Sequence, residues 1–250
     1  MKTFSVRSIP EFFNAVVSIT HSFDNERPWW RGQAKQEWRV TPSLYHKGKY
    51  PHEHNMTVRF FNRAKVRYAS APAQDDSPGW LFLMQHYGLP TRLLDWTEFP
   101  LVGLFFAVRE QCYYESTGTL WGLLPSRLNK CQTGEKVIFG TGNPIVSPVF
   151  KAAFKSERPA ASDKTLAISA QHINLHQVIQ GSEFTIHGSQ QPLDDHPDAA
   201  EFLVRIDVPP SAKAGLKQSI ELLQITEGFL FPDLEHLAHE LENTSFDVAH

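Results

Sequence analysis

The 250-residue chain has only two cysteines, Cys112 and Cys131, and no run of 18 or more apolar residues. Two cysteines are too few for a disulfide framework or a four-cysteine zinc site, and the missing apolar run predicts no membrane-spanning helix. A net charge of −3 disfavours nucleic-acid binding driven mainly by phosphate neutralisation, although it is compatible with a local basic patch. Charges and a proline interrupt the first 17 residues, so we expect no signal peptide and a cytoplasmic protein.

The common catalytic signatures are absent as well. The sequence has no GxSxG elbow, no GxxxxGK[ST] phosphate loop and no HExxH motif. His236 and His239 have helical i, i+3 spacing, and His52 and His54 flank Glu53, but neither pair has a matched third ligand. Solvated surface histidines are the better interpretation, and we expect no metal site.

The chain does contain ample material for a core, since 41% of its residues are hydrophobic. Helical patterns dominate the first half, and four short strand-like stretches, TLWGLL, LAIS, EFTIH and FLVRIDV, lie mostly in the second half. This order predicts a single α+β domain over residues 1–250, with a central mixed or antiparallel sheet surrounded by helices. Residues 125–165 show no clear periodicity and are predicted to be an insertion or a long loop.

The stretch HYGLPTRLLDWT combines residues that end or begin helices with residues that helix capping does not explain. Its glycine and proline predict the end of one helix, and Thr97 is well placed as the N-cap of the next, EFPLVGLFFAVREQCYY. Capping leaves Arg92 and Trp96 unexplained. They are either structural, with Arg92 paired to a carboxylate, or they face a ligand, since a helix N-terminus near cations binds anions and Trp96 can stack on a ring. We interpret the stretch as a rigid corner that presents a ligand-facing surface beside Arg31.

The segment WWRGQ places Arg31 on an aromatic-flanked strand, directly before Gly32. A guanidinium with backbone close by can hold a phosphate or carboxylate in a bidentate manner. The alternative is a structural ion pair, with Asp95 as the candidate partner.

A third candidate stretch is QGSEFTIH, residues 180–187. In a strand, Glu183, Thr185 and His187 share one face because side chains alternate with a period of two. Such a polar face is either exposed to solvent or lines a cleft.

These stretches resemble the bacterial FRG domain family, which is named for a Phe-Arg-Gly motif. The resemblance rests on WWRGQ, TPSLYH, LFLMQHYGLPTRLLDWTEFPLVGLFFAV, QGSEFTIH and FLFPDLEHLAHEL. Trp30 stands in place of the motif's phenylalanine, and Ser182 stands where the family has glycine. The similar region spans residues 27–240.

More distantly, the order of motifs is similar to that of ADP-ribosyltransferases. Those enzymes carry an arginine or histidine on an early strand, a Ser/Thr strand leading into an apolar helix, and a late strand with Glu or Gln. Arg31, then residues 95–97 before PLVGLFFAV, then Gln180 and Glu183 follow this order. The Ser-Thr-Ser sequence is absent, and Gln180 and Glu183 lie three residues apart instead of two. This resemblance implies a split sheet.

The function that the resemblance implies is consumption of NAD, as an ADP-ribosyltransferase or NAD glycohydrolase without a metal, acting as an intracellular toxin or phage-defence effector. The implied catalytic residues are Arg31, Thr97, Gln180 and Glu183. The implied nucleotide-binding residues are Trp30, Gly32, His86, Tyr87, Arg92, Asp95 and Trp96.

A second hypothesis is a non-catalytic module that binds a nucleotide or a partner, with Arg31, Arg92 and Asp95 forming a structural network. Under the first hypothesis the acceptor is a protein or a nucleic acid, and an antitoxin is a candidate partner. The Lys/Arg-bearing segment 57–67 is compatible with nucleic-acid contact, although a solvated helix face is the simpler interpretation.

Overall fold

The structure is a computed structural model and describes residues 1–156, 163–169 and 175–243. Its strands are β1 (Thr3–Ser5), β2 (Trp29–Gln33), β3 (Leu93–Thr97), β4 (Gly118–Leu123), β5 (Phe139–Gly140), β6 (Thr165–Ser169), β7 (Ser182–His187) and β8 (Leu203–Val208). Its helices are α1 (Ile9–Ser22), α2 (Ser43–His46), α3 (Glu53–Ala64), α4 (Ser77–His86), α5 (Pro100–Val108), α6 (Pro125–Thr133), α7 (Ser147–Ala152), α8 (Leu175–Ile179), α9 (Ala199–Phe202), α10 (Pro210–Leu222), α11 (Glu227–Leu230) and α12 (Leu234–Asn243).

The strands form one mixed sheet in the order β1-β8-β4-β2-β3-β7-β6-β5. The two edge pairs, β1 with β8 and β5 with β6, are parallel, and the inner pairs are antiparallel. The helices surround this sheet. The predicted α+β fold with a mixed central sheet is confirmed.

The junction between β2 and β3 divides the sheet into two halves. Trp30 opposite Thr97 is the only residue pair that joins these strands, whereas β2 pairs with β4, and β3 with β7, along the whole strand. Beyond that single pair the two halves separate. The peptide groups on either side of this opening therefore lack the regular partners that a continuous ladder supplies.

Two hydrophobic cores pack against the sheet, and strands β3 and β6 contribute residues to both of them. The larger core packs β8, β4 and β2 against α1, α5 and α10, with Trp30, Phe105 and Leu216 among its members. The smaller core packs β3, β7 and β6 against α4 and α7, and it contains Trp80 and Phe184. Leu94 and Trp96 of β3 belong to the larger core and Leu93 to the smaller one, so the larger core continues across the opening between β2 and β3.

Local patterns predicted several elements correctly. Helix α1 begins after Ser8, whose hydroxyl accepts a hydrogen bond from the backbone of Glu11, while the Glu11 carboxylate accepts one from the backbone of Arg7. Helix α4 ends shortly before Gly88, which adopts a left-handed φ of +74°. All four predicted strands are present as β4, β6, β7 and β8.

Two local predictions are wrong. Thr97 does not cap a helix at Glu98: it ends strand β3, and α5 begins at Pro100 with Phe99 as its N-cap residue. Residues 125–165 are not one long loop, because their described part contains α6, β5 and α7. In α6, Asn129 is buried and exchanges hydrogen bonds with the backbone of Ala167 in β6, which attaches this segment to the sheet.

Within the described ranges, no helix has both the length and the apolar character that crossing a membrane requires.

Candidate functional site

Arg31 lies on β2 directly beside the opening in the sheet. Its neighbour Gly32 allows the strand to approach α5 closely: a Cβ added there would come within 2.0 Å of the Gly103 carbonyl oxygen and 2.6 Å of the Ala107 nitrogen. Gly103 in turn lies close to β2, since its own added Cβ would come within 3.0 Å of the Cβ of Trp30. The Trp-Arg-Gly sequence therefore places an arginine on a strand whose backbone is tightly packed against a helix.

Asp95 lies across the opening on β3, and a second set of side chains holds its carboxylate. Gln85 at the end of α4 donates a hydrogen bond from Nε2 to Asp95 Oδ2 at 2.7 Å. The hydroxyl of Thr91 donates to Gln85 Oε1, which fixes the orientation of the amide. Asp95 itself is exposed, unlike its buried neighbours Leu94 and Trp96. The carboxylate is thus both oriented and reachable.

Arg31 and Asp95 interact through the backbone as well as through their charges. Arg31 Nη1 donates a hydrogen bond to the Asp95 carbonyl oxygen at 2.8 Å, which supplies a partner where the ladder between β2 and β3 is interrupted. Arg31 Nε is enclosed and has no hydrogen-bond partner. Burial lowers the pKa of Arg31, and the charge of Asp95 opposes this effect. The hydrogen-bonded acceptor is thus the carbonyl oxygen of Asp95 and not its carboxylate, which differs from the expected ion pair.

The pKa of Asp95 is raised above its ordinary value. Loss of hydration within the surrounding protein raises it, while the charge of Arg31 and the hydrogen bond from Gln85 oppose the shift. Carboxylates with raised pKa in clefts are typical of functional sites.

Three adjoining chambers form a cleft along the opening in the sheet. The outer chamber, about 660 Å³, is lined by residues that include Arg31, Gly32, Gln33, Glu37, Trp38, Arg39, Tyr45, His46, Phe106 and Arg109. The central chamber, about 280 Å³, is lined by Trp30, Arg31, Gly32, Asp95, Trp96, Thr97, Val102, Phe106, Gln180 and Ser182. The far chamber, about 470 Å³, is lined by residues that include Gln85, His86, Asp95, Gln177, Gln180, Ser182 and Phe231. Arg31 and Asp95 stand at the two boundaries between chambers.

Aromatic side chains and a neutral histidine line the outer chamber. Trp38, Tyr45 and Phe106 supply ring surfaces there, and the guanidinium of Arg109 lies 5.2 Å from the centre of the Phe106 ring. Burial, then the positive charges of Lys47 and Arg31, lower the pKa of His46. A chamber of this size with ring surfaces and one central guanidinium matches the usual character of a small-molecule site.

Thr97 and Gln180 connect β3 to the loop before β7. The Thr97 hydroxyl donates to the Gln180 carbonyl oxygen at 2.5 Å and accepts from the Phe99 backbone at 3.0 Å. Gln180 Nε2 donates to the Leu230 carbonyl oxygen at 2.9 Å. Thr97 and Gln180 both line the central chamber, and these hydrogen bonds hold its lining together.

The structure brings most of the predicted site residues together. Those that line the cleft are Trp30, Arg31, Gly32, His86, Asp95, Trp96, Thr97 and Gln180. The side chain of Trp96 is 3% exposed, and its indole nitrogen donates to the Thr185 hydroxyl at 3.0 Å.

Three predicted residues do not line the cleft. Arg92 is fully buried and does not lie beside Arg31 as a ligand-facing cation, because both Glu53 oxygens accept from its guanidinium at 2.5 and 2.7 Å. The Glu183 side chain is 9% exposed, and Ser169 donates to it at 3.4 Å. Tyr87 is 59% exposed and lies on a separate groove beside α3.

The buried Arg92–Glu53 pair is a structural contact. Arg92 Nη1 also donates to the Val149 carbonyl oxygen at 3.0 Å, so the guanidinium joins α3, β3 and α7. Burial opposes its charge, but the hydrogen bonds and charge of Glu53 raise the pKa of Arg92. The interpretation of Arg92 as the partner of a carboxylate agrees with this placement.

The polar face of β7 is buried. The Thr185 hydroxyl accepts a hydrogen bond from the Trp96 indole nitrogen and lies 2.9 Å from His187 Nε2. Burial, then the charges of Arg31 and Arg92, lower the pKa of His187 to about 3. His187 is therefore neutral at pH 7 and belongs to the interior.

No group of three or more His, Cys, Asp or Glu side chains arranged to hold a metal ion occurs among residues 1–156, 163–169 and 175–243. Glu53 is paired with Arg92, and His236 contacts Asp233. The side chain of His239 lies outside the described residues.

The sequence reasoning missed Gln85, Tyr45, His46, Phe106 and Ser182. Gln85 was detectable in principle, because a polar residue near the end of the apolar helix LFLMQH interrupts its pattern. The others come from segments whose proximity depends on the tertiary fold.

The site is a cleft at a sheet opening, with an arginine and an oriented carboxylate at its centre. The family model described as FRG domain matches residues 26–115. The FRG resemblance is confirmed over this stretch. The stretch is shorter than the predicted 27–240, but it contains Arg31, Gln85 and Asp95. No curated protein and no solved structure matches the chain.

Proposed function

We propose that the cleft binds NAD and cleaves its nicotinamide–ribose bond, as an ADP-ribosyltransferase-like enzyme or an NAD glycohydrolase. The observation that carries this proposal is the pair of Arg31 and Asp95 at the chamber boundaries of the cleft. A guanidinium suits a diphosphate, and a carboxylate suits a ribose ring that develops positive charge.

In this reaction the bond between ribose C1′ and the nicotinamide nitrogen breaks. Nicotinamide leaves as a neutral molecule with the bonding electron pair, and the ribose passes through an oxocarbenium-like state, as in glycoside cleavage. Water or a nucleophile of the acceptor then bonds to C1′ and loses a proton. Asp95 stabilises the developing cation and accepts this proton, a role for which its raised pKa is suited.

Other residues of the cleft position the substrate. Arg31 holds the diphosphate, and the rings of Tyr45 and Phe106 provide stacking surfaces. Gln180 and Ser182 face the central chamber, where they supply polar contacts to a ribose. We assign the charge-stabilising role to Asp95, whereas the sequence resemblance assigns it to Glu183.

The test is incubation of the protein with NAD labelled in the adenylate portion, with detection of free nicotinamide and of label on protein, RNA and DNA. We expect Arg31→Lys and Asp95→Asn each to reduce nicotinamide release at least a hundredfold, of the order of losing one preorganised electrostatic contact. Arg127→Lys, outside the cleft, is the matched control.

The variants also separate the competing assignments. A large loss in Glu183→Gln together with an active Asp95→Asn would return the catalytic role to Glu183. NAD binding by calorimetry without nicotinamide release would favour the non-catalytic nucleotide-binding module. If the protein neither binds NAD nor releases nicotinamide, both the enzymatic and the nucleotide-binding versions are overturned.

We further propose a cytoplasmic setting, in which the enzyme acts as an intracellular toxin or phage-defence effector restrained by an antitoxin. The two free, exposed cysteines, Cys112 and Cys131, support a reducing compartment. Expression in bacteria tests the setting: growth arrest by the natural sequence and normal growth with Asp95→Asn are expected, and equal growth would contradict it.

A further inference from the structure

A second concave surface lies outside the cleft, between α3 and the end of α4. We name it the arginine groove, after Arg59, Arg63 and Arg67, which follow one another at four-residue spacing. Its volume is about 550 Å³. Arg59 and Arg63 lie four residues apart on one side of α3, and Arg67 lies in the turn after the helix ends at Ala64. All three line the groove, where they form a row.

The three arginines are exposed and available to an anion. Within the described parts of the chain, none of them pairs with a carboxylate, and the contact shown is a 3.5 Å hydrogen bond from Arg67 to the Arg63 carbonyl oxygen. Among the described residues, no carboxylate therefore neutralises the charges of these three arginines, which face solvent. In a chain with a net charge of −3, this row is a local concentration of positive charge.

Two tyrosine rings stand beside the row. Tyr68 is 38% exposed and Tyr87 is 59% exposed, and their rings meet edge to face with centroids 6.2 Å apart. The groove between them and the arginines has an apolar floor that includes Phe60. A large exposed ring beside free guanidinium groups is the combination that binds bases and phosphates of an unpaired strand.

We propose that the arginine groove binds single-stranded nucleic acid, with the arginines on the phosphates and a base stacked on Tyr87. Unpaired bases are required because a duplex keeps its base faces stacked and out of reach of the rings. An acidic protein segment would pair with the arginines but would leave the tyrosine faces unused, so charge and ring surface together favour nucleic acid.

The groove adjoins the cleft through consecutive residues. Tyr87 lines the groove, and His86 lines the far chamber that contains Asp95. The groove and the far chamber therefore lie on either side of the end of α4. The identification of a bound strand as the ADP-ribose acceptor rests on the proposed function, whereas binding itself does not.

The test measures binding of a fluorescently labelled, mixed-sequence 12-nucleotide strand, as DNA and as RNA, to the full chain without NAD. We expect fluorescence anisotropy to show saturable binding. In a plot of the logarithm of the association constant against the logarithm of the salt concentration, we expect a slope of about −2, because three phosphate contacts form on a single strand. A duplex of the same sequence is expected to bind at least tenfold more weakly.

Variants locate the binding surface. Arg63→Glu is expected to weaken binding at least tenfold, and Tyr87→Ala about tenfold, while Tyr87→Phe keeps the stacking ring and binds normally. Lys65→Glu makes the same charge change two residues away, but its ammonium group lies over Phe61 at 3.9 Å and does not line the groove, so it serves as the matched control. Circular dichroism confirms that each variant is folded.

Several outcomes would overturn the proposal. Absence of saturable binding at low salt, an equal loss in Lys65→Glu and Arg63→Glu, or equal displacement by a polyglutamate peptide would each do so, the last by identifying an acidic protein segment as the occupant. Strand binding without nicotinamide release would refute only the NAD-cleaving function. Nicotinamide release without strand binding would refute only the groove.

Discussion

Arg31 on β2 donates a hydrogen bond to the backbone carbonyl oxygen of Asp95 on β3, across the place where these two strands stop pairing. The bond satisfies a peptide group that the interrupted ladder leaves without a strand partner, and it holds the guanidinium at the centre of the cleft. It also leaves the Asp95 carboxylate to Gln85 and to solvent. One side chain thus supports the opening in the sheet and leaves the acidic group accessible.

The first prediction concerns the pH dependence of the cleft. The pKa of Asp95 is raised, so its carboxylate becomes protonated at a higher pH than an ordinary aspartate. If the ionised form is the active one, nicotinamide release falls as the pH decreases through that raised pKa. Because the hydrogen bond from Gln85 holds the pKa down, Gln85→Leu is expected to move the midpoint to still higher pH.

The measurement is a pH–rate profile for the natural sequence and Gln85→Leu, with the Asp95 carboxyl carbon followed by NMR in parallel. Gln132→Leu, an amide outside the cleft lining, is the matched control. An unchanged carboxyl titration in Gln85→Leu would contradict the assigned contact.

The second prediction concerns the buried pair of Arg92 and Glu53. Arg92→Met leaves the Glu53 carboxylate buried without its cation, and we expect a loss of about 3–5 kcal/mol in the free energy of unfolding. The double variant Arg92→Met/Glu53→Leu removes both charges and is expected to recover most of this loss. Urea unfolding followed by circular dichroism measures both.

The pair of Arg127 and Asp24 provides the control for the buried pair, since Asp24 is 86% exposed, whereas Arg127 is 22% exposed and also lies 3.5 Å from Glu26. Arg127→Met is expected to change the unfolding free energy by less than about 1 kcal/mol. Equal effects of Arg92→Met and Arg127→Met would contradict a structural role for the buried pair.

The third prediction concerns Gly32. A Cβ there would lie 2.0 Å from the Gly103 carbonyl oxygen, so Gly32→Ala forces β2 and α5 apart and is expected to destabilise the fold by roughly 1–3 kcal/mol or more. Gly140→Ala is the control, because nothing lies within 4 Å of its added Cβ. Thermal unfolding of both variants measures the difference, and equal melting temperatures would refute the close approach of strand and helix.

The fourth prediction concerns His187, whose pKa is about 3 in the folded protein and about 6.5 when unfolded. Between these values the unfolded chain binds a proton that the folded chain does not. The contribution of His187 to stability therefore falls as the pH decreases from about 6.5 toward 3, by about 1.4 kcal/mol per pH unit.

His187→Gln removes the group that binds a proton on unfolding, so the unfolding free energy should depend less steeply on pH across that range. His21→Gln, an exposed histidine on α1, is the control and should retain the slope of the natural sequence. Parallel slopes for His187→Gln and the natural sequence would show that His187 does not titrate as stated.

Local sequence predicted those elements whose signals lie within a few residues. Ser8 and Glu11 marked the start of α1, and the alternation of EFTIH predicted β7 and the common face of Glu183, Thr185 and His187. The strand β3 was missed because its five residues, LLDWT, have no long alternating pattern and adjoin the apolar run of α5. For the same reason Thr97 was taken as a helix cap.

The candidate site was predictable only in part. Arg31 and Asp95 were both identified, since an arginine before a glycine and an acidic residue before an apolar helix are visible in the sequence. The pairing of Arg92 with Glu53 was not, because 39 residues separate them and the contact depends on how α3 packs against β3. The exclusion of Glu183 from the cleft lining likewise depends on how β7 is placed against its neighbours.

By itself the sequence determined the composition of an α+β domain, the ends of α1 and α4, and the residue types available to a binding site, because capping, periodicity and side-chain chemistry act over short distances. Only the tertiary structure decided that β2 and β3 pair through Trp30 and Thr97 alone. That single pair opens the sheet and places Arg31 across the opening from Asp95. Strand order and register are set by packing between distant segments, and no local pattern reports them.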